Sequence, residues 1–239
     1  MRPSTAFLLL MLPMSLSLGT PATAADADIV GVLERSQAAR LDHAHAADPD
    51  GARARIVRES FETLTRALGL RHPVELRVID SADREIVAET LQGRVVLAHQ
   101  SLADLDAFER MFILAHELGH IELRHWEQTQ RLYQKWVPGA VVPQQTEPVA
   151  ALLGRDASGL TYRQEFEADA YALRALQGLG GSMQDAIAAF MHRGITHDTA
   201  THPGTGKRLA ALRAIAAGSA PAPQAETRND PTESVSRAD

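Results

Sequence analysis

The chain contains no cysteine among its 239 residues. This absence excludes disulfide bonds, zinc sites built from thiolates, cysteine nucleophiles and a lipid-modified cysteine anchor. Ten histidines and thirty acidic residues are present. Any metal ion must therefore be held by imidazole and carboxylate groups, both of which are zinc ligands.

The chain also lacks an excess of positive charge. Its 24 basic and 30 acidic residues give a formal net charge of −6. A general nucleic-acid-binding protein needs a basic surface that neutralises phosphates, so we expect no nucleic-acid partner. Apolar residues make up 45% of the chain and charged residues 23%, and both values are typical of a globular protein with a substantial core.

Long apolar runs are missing as well, apart from one near the start. Phe7–Leu18 is apolar, but it has twelve residues, whereas a membrane-spanning helix needs roughly 20. Arg2 precedes this run, and Ala22–Ala24 follows it with the small-x-small cleavage pattern of a secretory signal peptide. We therefore predict that residues 1–24 are a signal peptide and that the mature protein is exported, to the periplasm or beyond, without a transmembrane segment.

The remaining sequence predicts one α+β domain over residues 25–218 and a disordered tail over residues 219–239. Apolar spacing predicts mainly helices, with a small β-sheet next to a central helix. Residues 137–158 contain several prolines and glycines and are predicted to be mostly loop. The expected helices cover residues 28–47, 52–68, 102–126, 162–176, 182–192 and 204–217, and the expected strands cover residues 74–79, 86–88 and 93–98.

The predicted helix over residues 102–126 carries an H-E-x-x-H sequence from His116 to His120. Residues four apart lie on one face of a helix, so the two histidines can bind one zinc ion while Glu117 projects beside it as a general base. The residues just before His116 are apolar on every side, which predicts a buried helix. Buried polar side chains need partners, and a metal ion is such a partner.

A catalytic zinc site usually has three protein ligands, so a third ligand is required. His125 follows His120 by five residues, which does not match the spacing of the metzincins, and we predict that His125 is structural or solvated. Glu165, on the separate helix over residues 162–176, is the better candidate. Alanines on that helix, including Ala168, are small enough to allow a close approach to the metal helix.

Two further acidic residues lie near Glu165 on the same helix. Asp169 is four residues away and therefore shares its face, where it can accept a hydrogen bond from the ring of a ligand histidine. Glu167 projects from the opposite side of the helix, so we expect it to be solvated.

These sequences resemble the HtpX-like and CAAX-prenyl-protease-like zinc metallopeptidases, a gluzincin family. Phe112–His120 resembles the metal helix of the family, and Arg163–Ala172 resembles its E-x-x-A-D motif. Thr201–Pro203, followed by Arg208–Leu209, is similar to a downstream H-P element. The resemblance implies a mainly helical, zincin-type domain with a small sheet next to the active-site helix.

The resemblance also implies the roles of individual residues. It implies one zinc ion per chain with His116, His120 and Glu165 as ligands, Glu117 as the catalytic glutamate and Asp169 as the carboxylate behind a ligand. The reaction implied is hydrolysis of peptide bonds in a protein or peptide. The chain is similar to the exported BepA-like and LoiP-like branch, which implies action on misfolded or unassembled envelope proteins and partners among the envelope proteins.

His202 is a further candidate catalytic residue, because the H-P histidine of the family lies near the metal. Peptide hydrolysis needs a donor for the oxyanion, and neither helix motif supplies one. His202 either donates this hydrogen bond or occupies the open metal position as an inhibitory plug. The third possibility is an ordinary loop histidine before a proline.

Two aspects of function remain open at this level. An extended substrate is expected to pair with the strand around Val95–Ala98. One alternative function is a non-proteolytic, zinc-stabilised envelope chaperone or binding module. Another is a regulatory peptidase of the ImmA/IrrE type, which has a similar metal sequence but acts in the cytoplasm.

Overall fold

A computed structural model of the chain describes residues 28–70, 72–81, 87–192 and 194–218. The predicted signal peptide (residues 1–24), the predicted tail (residues 219–239) and Ile86 of the second predicted strand lie outside the described residues. These points remain predictions.

The described residues form a mainly helical domain with one small sheet, which confirms the predicted α+β class. The helices over residues 52–68, 182–192 and 204–217 are confirmed to within a residue. In this part of the chain, no helix has the length and apolar character needed to cross a membrane. The helices are α1 (Ile29–His43), α2 (Ala52–Leu68), α3 (Ala107–Glu122), α4 (His125–Trp136), α5 (Pro143–Thr146), α6 (Ala150–Gly178), α7 (Met183–His192) and α8 (Thr205–Ala216).

The sheet has three strands, β1 (Glu75–Ile79), β2 (Ala88–Leu91) and β3 (Val95–His99), in the order β1-β3-β2. β3 pairs in parallel with β1 and antiparallel with β2. All five residues of β3 are buried, as expected for an apolar run between two partners. The expectation that a substrate pairs with this strand is therefore wrong, because both edges of β3 are already occupied. The two edge strands of the described sheet are β1 and β2.

Helices cover both faces of the sheet. Val96 and Ala98 of β3 belong to the main core, together with buried residues of α2, α3 and α6. Leu97 projects to the other face, where it joins a smaller cluster that contains Leu41 of α1. This alternation follows from the period of two in a strand. It places β3 in the middle layer and α3 directly beside the sheet.

The predicted helix over residues 102–126 is interrupted twice. A 3-10 helix, Gln100–Asp104, precedes α3, and Arg124 separates α3 from α4. Arg124 adopts a left-handed conformation with φ of 57°. Arginine rarely adopts this conformation, so its sequence carries no signal for the break, whereas glycine would have supplied one.

The prediction that residues 137–158 are mostly loop is wrong from Pro143 onward, because α5 and a 3-10 turn, Glu147–Val149, lead directly into α6 at Ala150. Gly154 and Gly159 lie within this helix and have open space around the position of a Cβ atom. Glycine lowers helix stability by about 1 kcal/mol but does not forbid a helix. The longer α6 extends the second helix of the site well beyond the predicted bounds.

Candidate metal and catalytic site

Three side chains from α3 and α6 converge at one point. The Nε2 atoms of His116 and His120 are 3.1 Å apart. The Glu165 carboxylate reaches them from α6, with oxygen atoms 3.6 Å from Nε2 of His116 and 3.5 Å from Nε2 of His120. In the described part of the chain, this is the group whose ligand atoms lie close enough together, within 4.8 Å, to hold one metal ion.

The residues of this group fit a zinc ion. A tetrahedral zinc site with bonds of about 2.0–2.2 Å places neighbouring ligand atoms about 3.3 Å apart, close to the distances found here. Two imidazoles and one carboxylate are a ligand set that zinc takes in catalytic sites. Oε2 of Glu165 is buried and accepts no hydrogen bond, although it forms an ion pair with Arg208 at 3.1 Å. The group can therefore accept a cation.

A close approach of the two helices brings the ligands together. A Cβ atom added at Gly119 would lie 3.2 Å from Cα of Ala168 and 3.2 Å from Cβ of Tyr171. This distance is shorter than the usual contact of about 3.5–4.0 Å between carbon atoms. The prediction that small residues on α6 allow a close approach to the metal helix is confirmed. Glycine on α3 supplies the other half of the contact.

Asp169 lies behind His116, away from the cleft. Its Oδ1 accepts a hydrogen bond from Nδ1 of His116 at 2.9 Å. In the neutral form of His116, Nε2 is then free of a proton and directed at the cluster. Asp169 also accepts two hydrogen bonds from Arg208 of α8, from Nε at 2.7 Å and from Nη2 at 2.5 Å. The three side chains are buried.

The electrostatics keep both buried carboxylates ionised. Burial raises the pKa of Glu165, but the hydrogen bond with His120 and the charges of His116 and Arg208 outweigh burial, so this pKa lies well below its usual value. Burial acts in the same sense on Asp169. The charge and hydrogen bonds of Arg208, with a contribution from His116, outweigh burial and lower the pKa of Asp169. An ionised carboxylate is the form that binds a metal ion.

His125 lies on the other side of His120. Its side chain is buried, and its Nδ1 is 2.9 Å from Nδ1 of His120. Its Nε2 is 3.2 Å from Oε2 of Glu167. Burial and the charges of His120 and His116 lower the pKa of His125 to about 3. The Glu167 side chain is 42% exposed, so it is in contact with solvent as expected. The contact with His125 was not predicted, because it depends on the α3–α4 break, which turns His125 back toward α6.

Glu117 lies on the floor of the same cleft and is held by an adjacent strand. It is 6% exposed. Oγ1 of Thr90, on β2, lies 2.9 Å from Oε2 and 2.9 Å from the backbone oxygen of Glu117. The single hydroxyl proton can be donated to either oxygen. Thr90 therefore fixes the position of the Glu117 carboxylate relative to the ligands.

His202 enters the cleft from the loop before α8. Its Nε2 lies 3.7 Å from Oε1 of Glu165, and its Nδ1 lies 2.9 Å from Oγ1 of Thr201. The loop is fixed by Asp198, which accepts a hydrogen bond from the backbone N–H of Gly204 at 2.8 Å. The structure thus places His202 beside the candidate ligands, at the rim of the cleft.

The cleft has a volume of about 380 Å³. Five of the six predicted site residues line it, and the sixth, Asp169, bonds His116 from behind. Sequence reasoning missed Thr90 and Arg208 as site residues. For Arg208 a signal exists, because it occupies the buried face of α8 together with Thr205, Leu209 and Leu212, where apolar residues are expected. Thr90 has no comparable signal, since it contacts α3 only through the folded sheet.

Comparison of the sequence with known proteins identifies a family but no individual relative. No curated protein matches the chain. The family described as peptidase family M48 matches residues 52–216, from the start of α2 to the end of α8. The match includes every residue of the metal cluster and leaves out α1, which nevertheless forms a wall of the cleft through Gln37 and Arg40. Because the match covers more than half of the sequence and indicates a metallopeptidase, the chain belongs to peptidase family M48.

Proposed function

We propose that the protein is an exported, zinc-dependent metalloendopeptidase that hydrolyses misfolded or unassembled envelope proteins. The observation that carries the enzymatic part is the convergence of His116, His120 and Glu165 beside the buried carboxylate of Glu117. Such an arrangement places a general base next to a Lewis acid, which is the requirement for metal-assisted hydrolysis.

In this proposal the side chains of the cleft have distinct roles. Zinc, when bound by His116, His120 and Glu165, makes a water molecule more acidic and polarises a carbonyl group. Glu117 accepts the proton of the attacking water and later donates it to the leaving amine. Thr90 holds the Glu117 carboxylate in place during both transfers.

His202 has two possible roles in the proposed reaction. As a donor, Nε2 of His202 would stabilise the oxyanion of the transition state. As a plug, it would compete with water for the open metal position and would have to move away. Its position 3.7 Å from Oε1 of Glu165 supports a role at the site and is compatible with both.

We propose that an extended substrate pairs with β2 rather than β3. Ala88, Glu89 and Thr90 of β2 line the cleft, and β2 is the edge of the described sheet on the side of Glu117. An exposed edge strand binds extended peptides through main-chain hydrogen bonds with little dependence on sequence. This mode suits unfolded segments of proteins.

The location and the biological substrates rest on the sequence. The predicted signal peptide supports export, and the similarity to BepA-like and LoiP-like proteins supports a role among envelope proteins and their partners. Comparing the envelope proteins of cells that produce the wild type or Glu117→Gln would identify substrates, because the variant is expected to bind them without cleavage.

The proposed activity can be tested with a fluorescently labelled unfolded protein. Glu117→Gln should retain zinc and its fold and should lower the hydrolysis rate by about 10²- to 10⁴-fold, because glutamine cannot accept the proton. Glu59→Gln, an exposed position on α2, is the matched control. Undiminished hydrolysis in Glu117→Gln would refute the mechanism. A wild type that binds unfolded protein without cleaving it would favour the chaperone or binding module.

A further inference from the structure

A chain of three side chains runs from the candidate ligand His120 to the surface. Nδ1 of His120 lies 2.9 Å from Nδ1 of His125, and Nε2 of His125 lies 3.2 Å from Oε2 of Glu167. The His125 side chain is 3% exposed, and the Glu167 side chain is 42% exposed. The ring of His125 meets that of His120 edge-on, at a centroid distance of 4.9 Å.

The hydrogen bonds of this chain have one consistent direction. A carboxylate only accepts hydrogen bonds, so Nε2 of His125 must carry a proton and donate it to Glu167. A neutral imidazole has one N–H group, so Nδ1 of His125 is then an acceptor. Nδ1 of His120 must therefore be the donor. In the neutral form of His120, which is the form that binds a metal ion, Nε2 faces His116 and Glu165 with a free lone pair.

The backbone fixes this chain independently of the metal ligands. The left-handed Arg124 ends α3 and directs His125 back under His120. From α6, Nε2 of Gln164 donates a hydrogen bond to the backbone oxygen of His125 at 3.0 Å. Glu167 also belongs to α6, so the helix that supplies the third ligand holds both His125 and the outer end of the chain.

We propose that His125, held by Glu167, is a positioning residue that fixes the ring orientation of the metal ligand His120 and selects its metal-binding tautomer. The two ligand histidines then have separate supports, Asp169 for His116 and His125 for His120. A neutral acceptor on His120 leaves more positive charge at the metal than a second carboxylate would. This inference rests on the proposed assignment of His120 as a zinc ligand.

The test compares two substitutions of His125, one that removes the hydrogen-bond acceptor facing His120 and one that keeps it. His125→Leu removes the acceptor but keeps an apolar side chain of similar bulk. In His125→Asn, Oδ1 lies near the position of Nδ1 and can accept the same hydrogen bond, although the contact with Glu167 is lost. Groups that orient ligand histidines contribute about 10- to 100-fold to metal affinity.

Zinc affinity is measured by competition with a chelator of known affinity, and the midpoint of thermal unfolding is measured on the metal-free protein. His125→Leu should bind zinc about 10- to 100-fold more weakly, and His125→Asn should recover most of this loss. His99→Leu is the control, because His99 is equally buried but bonds Ser101 and Ser81 instead of the site. This control should lose stability without losing zinc affinity.

Two results would overturn this inference while leaving the proposed function intact. One is unchanged zinc affinity in His125→Leu, and the other is an equal loss of zinc affinity in both His125 variants. A wild type that binds no zinc would overturn it together with the proposed function. If His125→Leu does not fold, nitrogen NMR of zinc-loaded wild type with labelled histidines decides the question. The proton should be on Nδ1 of His120 and on Nε2 of His125, and a proton on Nδ1 of His125 would overturn the inference.

Discussion

Replacing Arg208 by methionine should destabilise the metal-free protein more than any exposed substitution on the same helix. Arg208 is 9% exposed and makes two hydrogen bonds with Asp169, at 2.7 and 2.5 Å. Its Nη1 also lies 3.1 Å from Oε2 of Glu165. Asp169 is 1% exposed, so water cannot replace the lost guanidinium. After the substitution, His116 would be the remaining side chain hydrogen-bonded to Asp169.

The size of the effect follows from these contacts. Removing one partner of a buried ion pair costs about 3–5 kcal/mol, because the other charge stays buried without compensation. Domains are stable by about 5–15 kcal/mol, so this loss is a large fraction of the total. For a domain of this size, 1 kcal/mol corresponds to about 2–4 °C in the melting temperature. Arg208→Met should therefore lower the melting temperature by about 6–20 °C.

Urea unfolding of the metal-free protein, followed by circular dichroism, gives the free energy of unfolding. Metal must be absent, because a bound ion stabilises the native state and adds a partner for Glu165. Arg213→Met, an exposed position on α8, is the control and should lose less than about 1 kcal/mol. Adding Asp169→Asn to Arg208→Met should recover part of the loss. Equal stability of Arg208→Met and Arg213→Met would refute the reasoning.

Three further predictions concern the metal, the loop and the start of the chain. Glu165→Ala should reduce the zinc content of the purified protein well below one ion per chain in elemental analysis, and full zinc content would remove Glu165 from the ligand set. His202→Ala should lower kcat by roughly 10²-fold if His202 is a donor and should raise kcat if His202 is a plug. Unchanged kinetics and unchanged zinc affinity would show that His202 has no role at the site. The intact mass of the exported protein should correspond to a chain that begins at Ala25, and a mass that includes Met1 would contradict the predicted signal peptide.

The sequence alone was sufficient for the parts of the site that depend on one helix. His116 and His120 share a face because they are four residues apart, and Glu165 and Asp169 share a face for the same reason. Local periodicity determines such pairs before any tertiary contact forms. The absence of cysteine likewise restricted the possible metal ligands to imidazole and carboxylate.

The tertiary structure decided the contacts between elements. Thr90 and Glu117 are 27 residues apart, and Asp169 and Arg208 are 39 residues apart, so no local pattern joins them. The position of β2 at an edge of the sheet, and of β3 in its centre, depends on the strand order, which hydrophobic alternation does not specify. His125 reaches His120 because Arg124 adopts a left-handed conformation, which arginine rarely adopts and which the local sequence therefore does not predict.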